Sequence, residues 1–335
     1  MPKKIIQLFV YLLLALPLAA QTPEDWVKSG NKKMSEGNSL GAIKDYTTAI
    51  GLKPDYAEAW LGRGSVYGEL LAYPEALKDL NIAISLKPML TDAWFNRGFV
   101  AYQTKDYQKA LDDFNKYLTL QPSDPEAILA RSNTYKQLGM KELSAADLKM
   151  YLSIPAENAS EYSNRSFVKL HLNDTLGAIS DINKAIELNP ENLELFYKRG
   201  NYYFLTNDFN KAIEDYTVCL INEKSNPVLF IKRGNAYIEL EKFGAAIEEF
   251  SAGIKLQNNE AEWFFDRGYL YLETKEYANA KYDFEKALAL NYSEKEMLYY
   301  NLGLAYANLG DVDAACKAFA LCGNQAEEFY KKYCK

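Results

Sequence analysis

Residues 57–90 read AEAWLGRGSVYGELLAYPEALKDLNIAISLKPML, and residues 193–226 read LELFYKRGNYYFLTNDFNKAIEDYTVCLINEKSN. The two stretches share little identity, yet their side-chain sizes agree place by place. Each opens on an aromatic ring, Trp60 or Phe196, followed by Arg-Gly and by Tyr three residues after the Gly. Ala76 and Ala212 stand twelve places after that Gly. Bulky Leu80 and Tyr216 come four later, and small Ala83 and Cys219 three after those.

The unit recurs from residue 23 almost to the C-terminus. Copies begin at Pro23, Ala57, Thr91, Pro125, Ala159, Leu193, Pro227, Ala261 and Glu296, so the interval from Pro23 to Ala57 repeats throughout, with one extra residue before the last copy. A fixed period of this length marks stacked repeats. Within a copy the small or apolar positions 4, 8, 11 and 20, 24, 27 recur at helical spacing, so each copy is read as two amphipathic helices. Turn residues such as Gly37, Gly139 and Asn207-Asp208 separate the helices, and Pro54, Pro88, Pro122 and Pro190 close the second one. A lone helix pair cannot bury its apolar face, so neighbours must stack.

The size pattern, the period and the closing Pro together resemble the tetratricopeptide repeat family, over residues 23–324. The resemblance implies an all-α fold, a right-handed α-solenoid of tandem helix-turn-helix repeats with a C-terminal capping helix. The expected repeats are 23–56, 57–90, 91–124, 125–158, 159–192, 193–226, 227–260, 261–294 and 296–324, with the cap at 325–335. In the cap, Gln325, Glu327, Glu328, Lys331 and Lys332 lie beside Phe329 and Tyr330, which suits one wet face.

Residues 1–20 stand apart. Lys3 and Lys4 precede an apolar run from Ile5 to Ala20, which ends Leu18-Ala19-Ala20 before Gln21. A charged start, a short apolar core and small residues at a cleavage point read as a secretory signal peptide; the alternative is an uncleaved anchor, for which the run is short. The expectation is an exported, periplasmic protein, with a secreted or outer-membrane-associated one as the alternative. No other stretch could cross a bilayer. The chain carries a formal charge of −7, an acidic balance that gives no electrostatic footprint for nucleic acid and is repelled by anionic lipid.

Of four cysteines, Cys219 sits at position 27 of its copy, where a small core residue belongs. Residues 312–322 and 325–334 read as antiparallel helices around Gly323-Asn324. Cys316 then lies nearly opposite Cys334, while Cys322 is at the turn, so the expected disulfide is Cys316–Cys334 with Cys322 free. Zinc binding is the weaker reading, because no His and no paired-cysteine motif accompanies them.

Two regularities go beyond the core. Position 7 is Arg in seven successive copies, from Arg63 to Arg267, and position 23 is acidic in eight, from Asp45 to Asp283. Each acid of one copy precedes the Arg of the next at a constant separation, as Asp79 precedes Arg97, so a ladder tying each repeat to the next is expected. Departures cluster at 117–169: Tyr117 and Tyr151 occupy the small position 27, and Pro155 comes one place early. Compensated packing and a seam or bend both fit. Lys33 replaces the Tyr usual at position 11, which solvation of a terminal repeat would explain.

No catalytic motif is present. The single His171 is read as an exposed or loop residue rather than a base, and the acids sit at repeating structural places; no cofactor or metal is expected. The chain is therefore read as a non-enzymatic scaffold for a protein or peptide partner, with a structural, self-associating spacer as the alternative. The family resemblance implies that positions 2, 5, 9, 12 and 13 line a concave groove. Those places hold Phe95, Phe99, Tyr102, Asn133, Phe167, Tyr197, Asn201, Phe204, Ile231, Asn235, Phe265 and Tyr269. Aromatics are effective contact residues, although packing between repeats would also use them. Position 5 never holds Lys, so the family's carboxylate clamp is absent.

Overall fold

The computed structural model describes residues 21–322, 330, 331 and 334. The expected signal peptide 1–20 lies outside these residues, as does most of the expected cap 325–335. Among the described residues there are only helices and connections. The chain falls into two units, Met1–Ile154 and Pro155–Lys335, so the division lies inside the irregular stretch 117–169.

In the first unit the helices are α1 Pro23–Ser35, α2 Ser39–Leu52, α3 Ala57–Glu69, α4 Tyr73–Leu86, α5 Thr91–Gln103, α6 Tyr107–Leu120, α7 Pro125–Gln137 and α8 Lys141–Ser153. In the second they are α9 Ala159–His171, α10 Thr175–Leu188, α11 Leu193–Leu205, α12 Phe209–Asn222, α13 Pro227–Glu239, α14 Phe243–Leu256, α15 Ala261–Glu273, α16 Tyr277–Ala289, α17 Lys295–Asn308 and α18 Val312–Phe319. Within each unit, odd helices pair with the even helix that follows, and each even helix packs on the next odd one. Each unit is thus a stretch of all-α repeat solenoid. In the first unit the odd helices also touch one another in series, α1 to α3 to α5 to α7, which makes them one continuous face.

Local chemistry starts and stops these helices. Thr22 and Asp25 form a reciprocal capping box at α1, and Asp106, Asp124 and Asp174 each accept from a backbone amide of the helix they precede. Each hairpin turns through one left-handed residue at position 15 of the copy. Gly37, Gly139 and Gly310 suit it, but Leu71, Lys105, Glu241 and Lys275 adopt it as well, with φ between 56° and 65°. Packing of the two helices imposes this conformation against the intrinsic preference of those side chains.

The two helices of a copy meet where a small residue, in most copies a Gly with no Cβ, faces a large one. A Cβ on Gly98 would lie 2.9 Å from Phe114, and one on Gly200 would lie 2.8 Å from Tyr216. The small residue at position 8 is therefore the counterpart of the large one at position 24. Beside this contact lies the charge pairing, and here the sequence expectation is corrected. Each Arg pairs with the acid ahead of it in its own copy, not with the acid of the copy behind. Arg97 donates from Nε and Nη2 to the two oxygens of Asp113 at 2.8 and 2.6 Å, and Arg63, Arg131, Arg199 and Arg267 do the same to Asp79, Asp147, Asp215 and Asp283. The cause is the hairpin: positions 7 and 23 flank the position 8–24 contact, so they face each other. The link to the preceding copy exists but uses neutral acceptors. Nη1 of Arg97 donates to Asn81, of Arg131 to Asn115, of Arg199 to Asn183 and of Arg267 to Ser251.

Exceptions obey the same logic. The first copy has Ser29 where Arg belongs, and Lys33 Nζ lies 2.6 Å from the buried Asp45, which Ser29 also donates to. Lys33 thus replaces the missing guanidinium; it is not there for solvation. In α9, Lys169 takes the same position and meets Asp181 at 2.8 Å, leaving Arg165 at 3.4 Å with its Nε unpartnered. Glu249 replaces Asp in one copy, and its extra methylene breaks the fork: Arg233 makes one bond of 2.8 Å, and Arg233 Nε and Glu249 Oε2 stay unpartnered. Tyr117 is accommodated: it is buried against Phe95, and its hydroxyl donates to Asp124, the cap of α7, at 2.7 Å.

Two stability outcomes follow from this pairing. Glu249→Asp restores the second bond and raises stability by about 1 kcal/mol in urea unfolding. A double-mutant cycle on Arg97 and Asp113 gives a coupling of about 2 kcal/mol, whereas one on Asp79 and Arg97, the pair expected from sequence, gives less than about 0.5 kcal/mol.

Candidate functional site

The continuous face of odd helices in the first unit carries three adjoining cavities. One of about 500 Å³ lies between α1 and α3 and includes Asn31, Met34 and Leu61. Through Ser65, Glu69 and Asn96 it adjoins one of about 250 Å³ between α3 and α5. That one shares Phe95, Phe99 and Glu126 with a third, of about 240 Å³, between α5 and α7. The helical spacing of positions 2, 5, 6, 9 and 13 puts these side chains on one stripe of each helix. Asn96 donates to Ser65 at 2.7 Å, a bond between neighbouring copies that fixes two polar groups on the face.

Four predicted contact residues meet in the third cavity: Phe95, Phe99, Tyr102 and Asn133. Their exposure differs. Phe95 packs on Phe114 and Tyr117, and Tyr102 packs edge-on to Tyr107 at 5.4 Å. Phe99 is 46% exposed, and Asn133 is also exposed. Glu69, Asn96 and Glu126 are not among the sequence candidates, although the two acids occupy repeat positions 13 and 2, both counted as groove places. Selection by aromatic character passes over them.

In the second unit the candidates are distributed differently. Tyr197 lines a cavity of about 360 Å³ with Leu193, Glu194, Cys219, Glu223 and Leu229. Asn201 accepts the Tyr216 hydroxyl at 3.0 Å, so its carbonyl already has an internal partner. Phe204 packs edge-on to Phe209, Asn235 is half-buried, and Ile231 is buried. Phe265 is buried and stacked flat on Tyr292 at 4.4 Å. Phe167 and Tyr269 are about half exposed, at 55% and 45%. His171 is exposed, sits one turn beyond Phe167 and contacts its ring at 4.1 Å.

The thiols are quiet. Cys316 and Cys334 form a disulfide with Cα atoms 5.5 Å apart, and Cys219 and Cys322 are free and buried. Burial pushes the Cys219 thiol up to about 11 and raises that of Cys322, so neither is a ready nucleophile. Among the described residues, no cluster of three or more His, Cys, Asp or Glu is placed to hold a metal, and no helix is long and apolar enough to cross a membrane.

One carboxylate on the odd-helix face of the second unit is perturbed. Asp266 is pushed up to about 6, first by burial and then by Glu262 one turn before it. A carboxyl raised in the folded state keeps a proton that the unfolded chain has lost, so stability falls as pH rises from about 4 to about 6. Asp266→Asn flattens that slope and gains about 2 kcal/mol at neutral pH, as read from denaturation at a series of pH values.

The comparisons agree with this architecture. Family models described as "Tetratricopeptide repeat" match residues 73–133, 231–291 and 298–322, and one described as "TPR repeat" matches residues 30–70. No curated protein matches the sequence. Among solved structures, the chain is similar to the APC/C hetero-tetramer Cut9–Hcn1, with a TM-score of 0.50 and 17% identity over 84% of this chain and 55% of that one. It thus spans little more than half of that protein. It is also similar to the C-terminal part of a TPR repeat-containing protein from Cytophaga hutchinsonii, with a TM-score of 0.57 and 17% identity over 72% of this chain and 99% of that one. At these identities the likeness concerns the fold alone. Helix pairs in constant register, the position 8–24 contact and the matched repeat models place the chain in the tetratricopeptide repeat family.

Proposed function

We propose that this protein is an exported, non-enzymatic scaffold that holds a segment of a partner protein along the odd-helix face of its first unit. Membership of the repeat family supports an interaction role in general. The observation that carries the finer reading is the row of three adjoining cavities, in which Phe95 and Phe99 are shared between two. A row of clefts along rigid helices is preformed, so binding orders few of the scaffold's own groups. Phe99 offers a half-exposed ring beside Phe95 in two cavities, a geometry suited to an apolar side chain of a partner.

Export rests on the stretch Lys3 to Ala20 and is supported by the disulfide at the other end of the chain. An oxidising compartment such as the periplasm fits both. The spacer reading is separated by the same experiment that tests the groove. A photoreactive amino acid at Phe99 is expected to trap a partner in intact cells, while one at Leu40, exposed on α2, traps none. Equal trapping at both sites, or trapping only of a second copy of this chain, would overturn the groove reading.

A further inference from the structure

The three cavities of the first unit are lined by carboxylates and aromatic rings. In the Arg–Asp forks each carboxylate has its cation, and Glu58, in the lining of the first cavity, is paired with Lys87 at 2.6 Å. On this face Glu69, Asp92 and Glu126 are exposed, and none of the three forms an ion pair among the described residues. No Lys or Arg lines any of the three cavities. The field of these acids reaches the rings behind them. Burial comes first in raising the Tyr46 hydroxyl to about 12, but Glu69 adds to it. Tyr117 is raised by burial and by Asp124, with Asp92 and Glu126 adding further. Phe95 and Phe99 line the α3–α5 cavity together with Glu69 and Glu126.

We infer that this face recognises a cationic segment of a partner protein, one that carries Lys or Arg beside an apolar side chain. The inference rests on the groove reading above and adds the chemistry of the occupant. The apolar side chain seats against Phe99 and Phe95, which line two of the cavities together. The flanking cations meet Glu69 and Glu126, which both line the α3–α5 cavity. An acidic segment meets no Lys or Arg in the cavity linings and is repelled by Glu69, Asp92 and Glu126, which form no ion pair among the described residues. A purely polar cationic segment leaves the ring of Phe99 in water. Charge complementarity of this kind acts mainly on approach and on discrimination among partners.

The test uses the full chain and three labelled peptides in fluorescence anisotropy: alternating Lys and Leu, alternating Glu and Leu, and alternating Lys and Ser. The Lys/Leu peptide is expected to bind most tightly and to weaken with added salt. Glu69→Gln with Glu126→Gln weakens it by about tenfold, and Phe99→Ala by about fivefold. Glu191→Gln, an exposed change in the second unit, leaves it unaltered. Both groove acids are exposed, so an unchanged thermal melt verifies folding. Glu126→Lys is a second variant and shifts preference toward the Glu/Leu peptide. Equal binding of the Glu/Leu peptide, or no loss in the doubly neutralised variant, overturns the cationic assignment. If Lys/Leu binding is absent while trapping from Phe99 persists, the cationic class is wrong and the groove reading stands. If trapping from Phe99 is lost as well, the groove reading goes with it.

Discussion

The close approach in each copy between a small residue at position 8 and a large one at position 24, most often a ring, controls the rest of the fold. At 2.9 Å or less between a notional Cβ and the ring, as for Gly98 and Gly200, the two helices leave no space for another carbon. Such contact fixes the distance and angle of the hairpin. It also decides which neighbours face each other, and so brings the Arg at position 7 to the acid at position 23. The ion pair is buried and forked, so it tolerates little displacement of either helix. Its net contribution to stability is limited by the cost of burying both charges. Asp215 and Asp283 show that cost: burial raises both carboxyls above their ordinary value despite the guanidinium at hand. The pairs act chiefly to hold one register.

The guanidinium does a second job. Rings at positions 4 and 11 lie one turn before and after it, as Trp60 and Tyr67 do around Arg63 at 4.9 and 6.0 Å. The cation is held in plane by aromatic faces while its last nitrogen reaches the previous copy. A single residue type thus connects hairpin closure, ring packing and stacking. Where Lys33 stands in for it, and where Lys169 competes with Arg165 for Asp181, the planar fork is lost, because an ammonium is a point donor.

Much of this architecture is legible in sequence. Period and the small-large complement follow from residue sizes and helix breaks from turn residues and Pro, while the face of first helices is what the family resemblance implies. The candidate site was legible in part. Phe95, Phe99, Tyr102 and Asn133 come together as their positions suggest. Periodicity could not tell a ring that lines a cleft from one that packs, which is why Phe265, at the place equivalent to Phe95, is buried under Tyr292. The extra residue before the last copy falls near Tyr292, outside the periodic pattern.

The amino-acid order alone determined that paired helices repeat at one fixed interval and that a small side chain faces a large one. Such information is one-dimensional and survives because size and spacing are local properties. Only tertiary structure decided which charges pair. Arg97 has an acid at a similar distance along the chain on either side, Asp79 before it and Asp113 after it, and the sequence weighs the two alike. The hairpin angle selects Asp113 and leaves the link to the preceding copy to neutral Asn, Thr and Ser side chains. Tertiary structure also decided which acids remain unpaired, since that depends on which cations the folded backbone brings within reach.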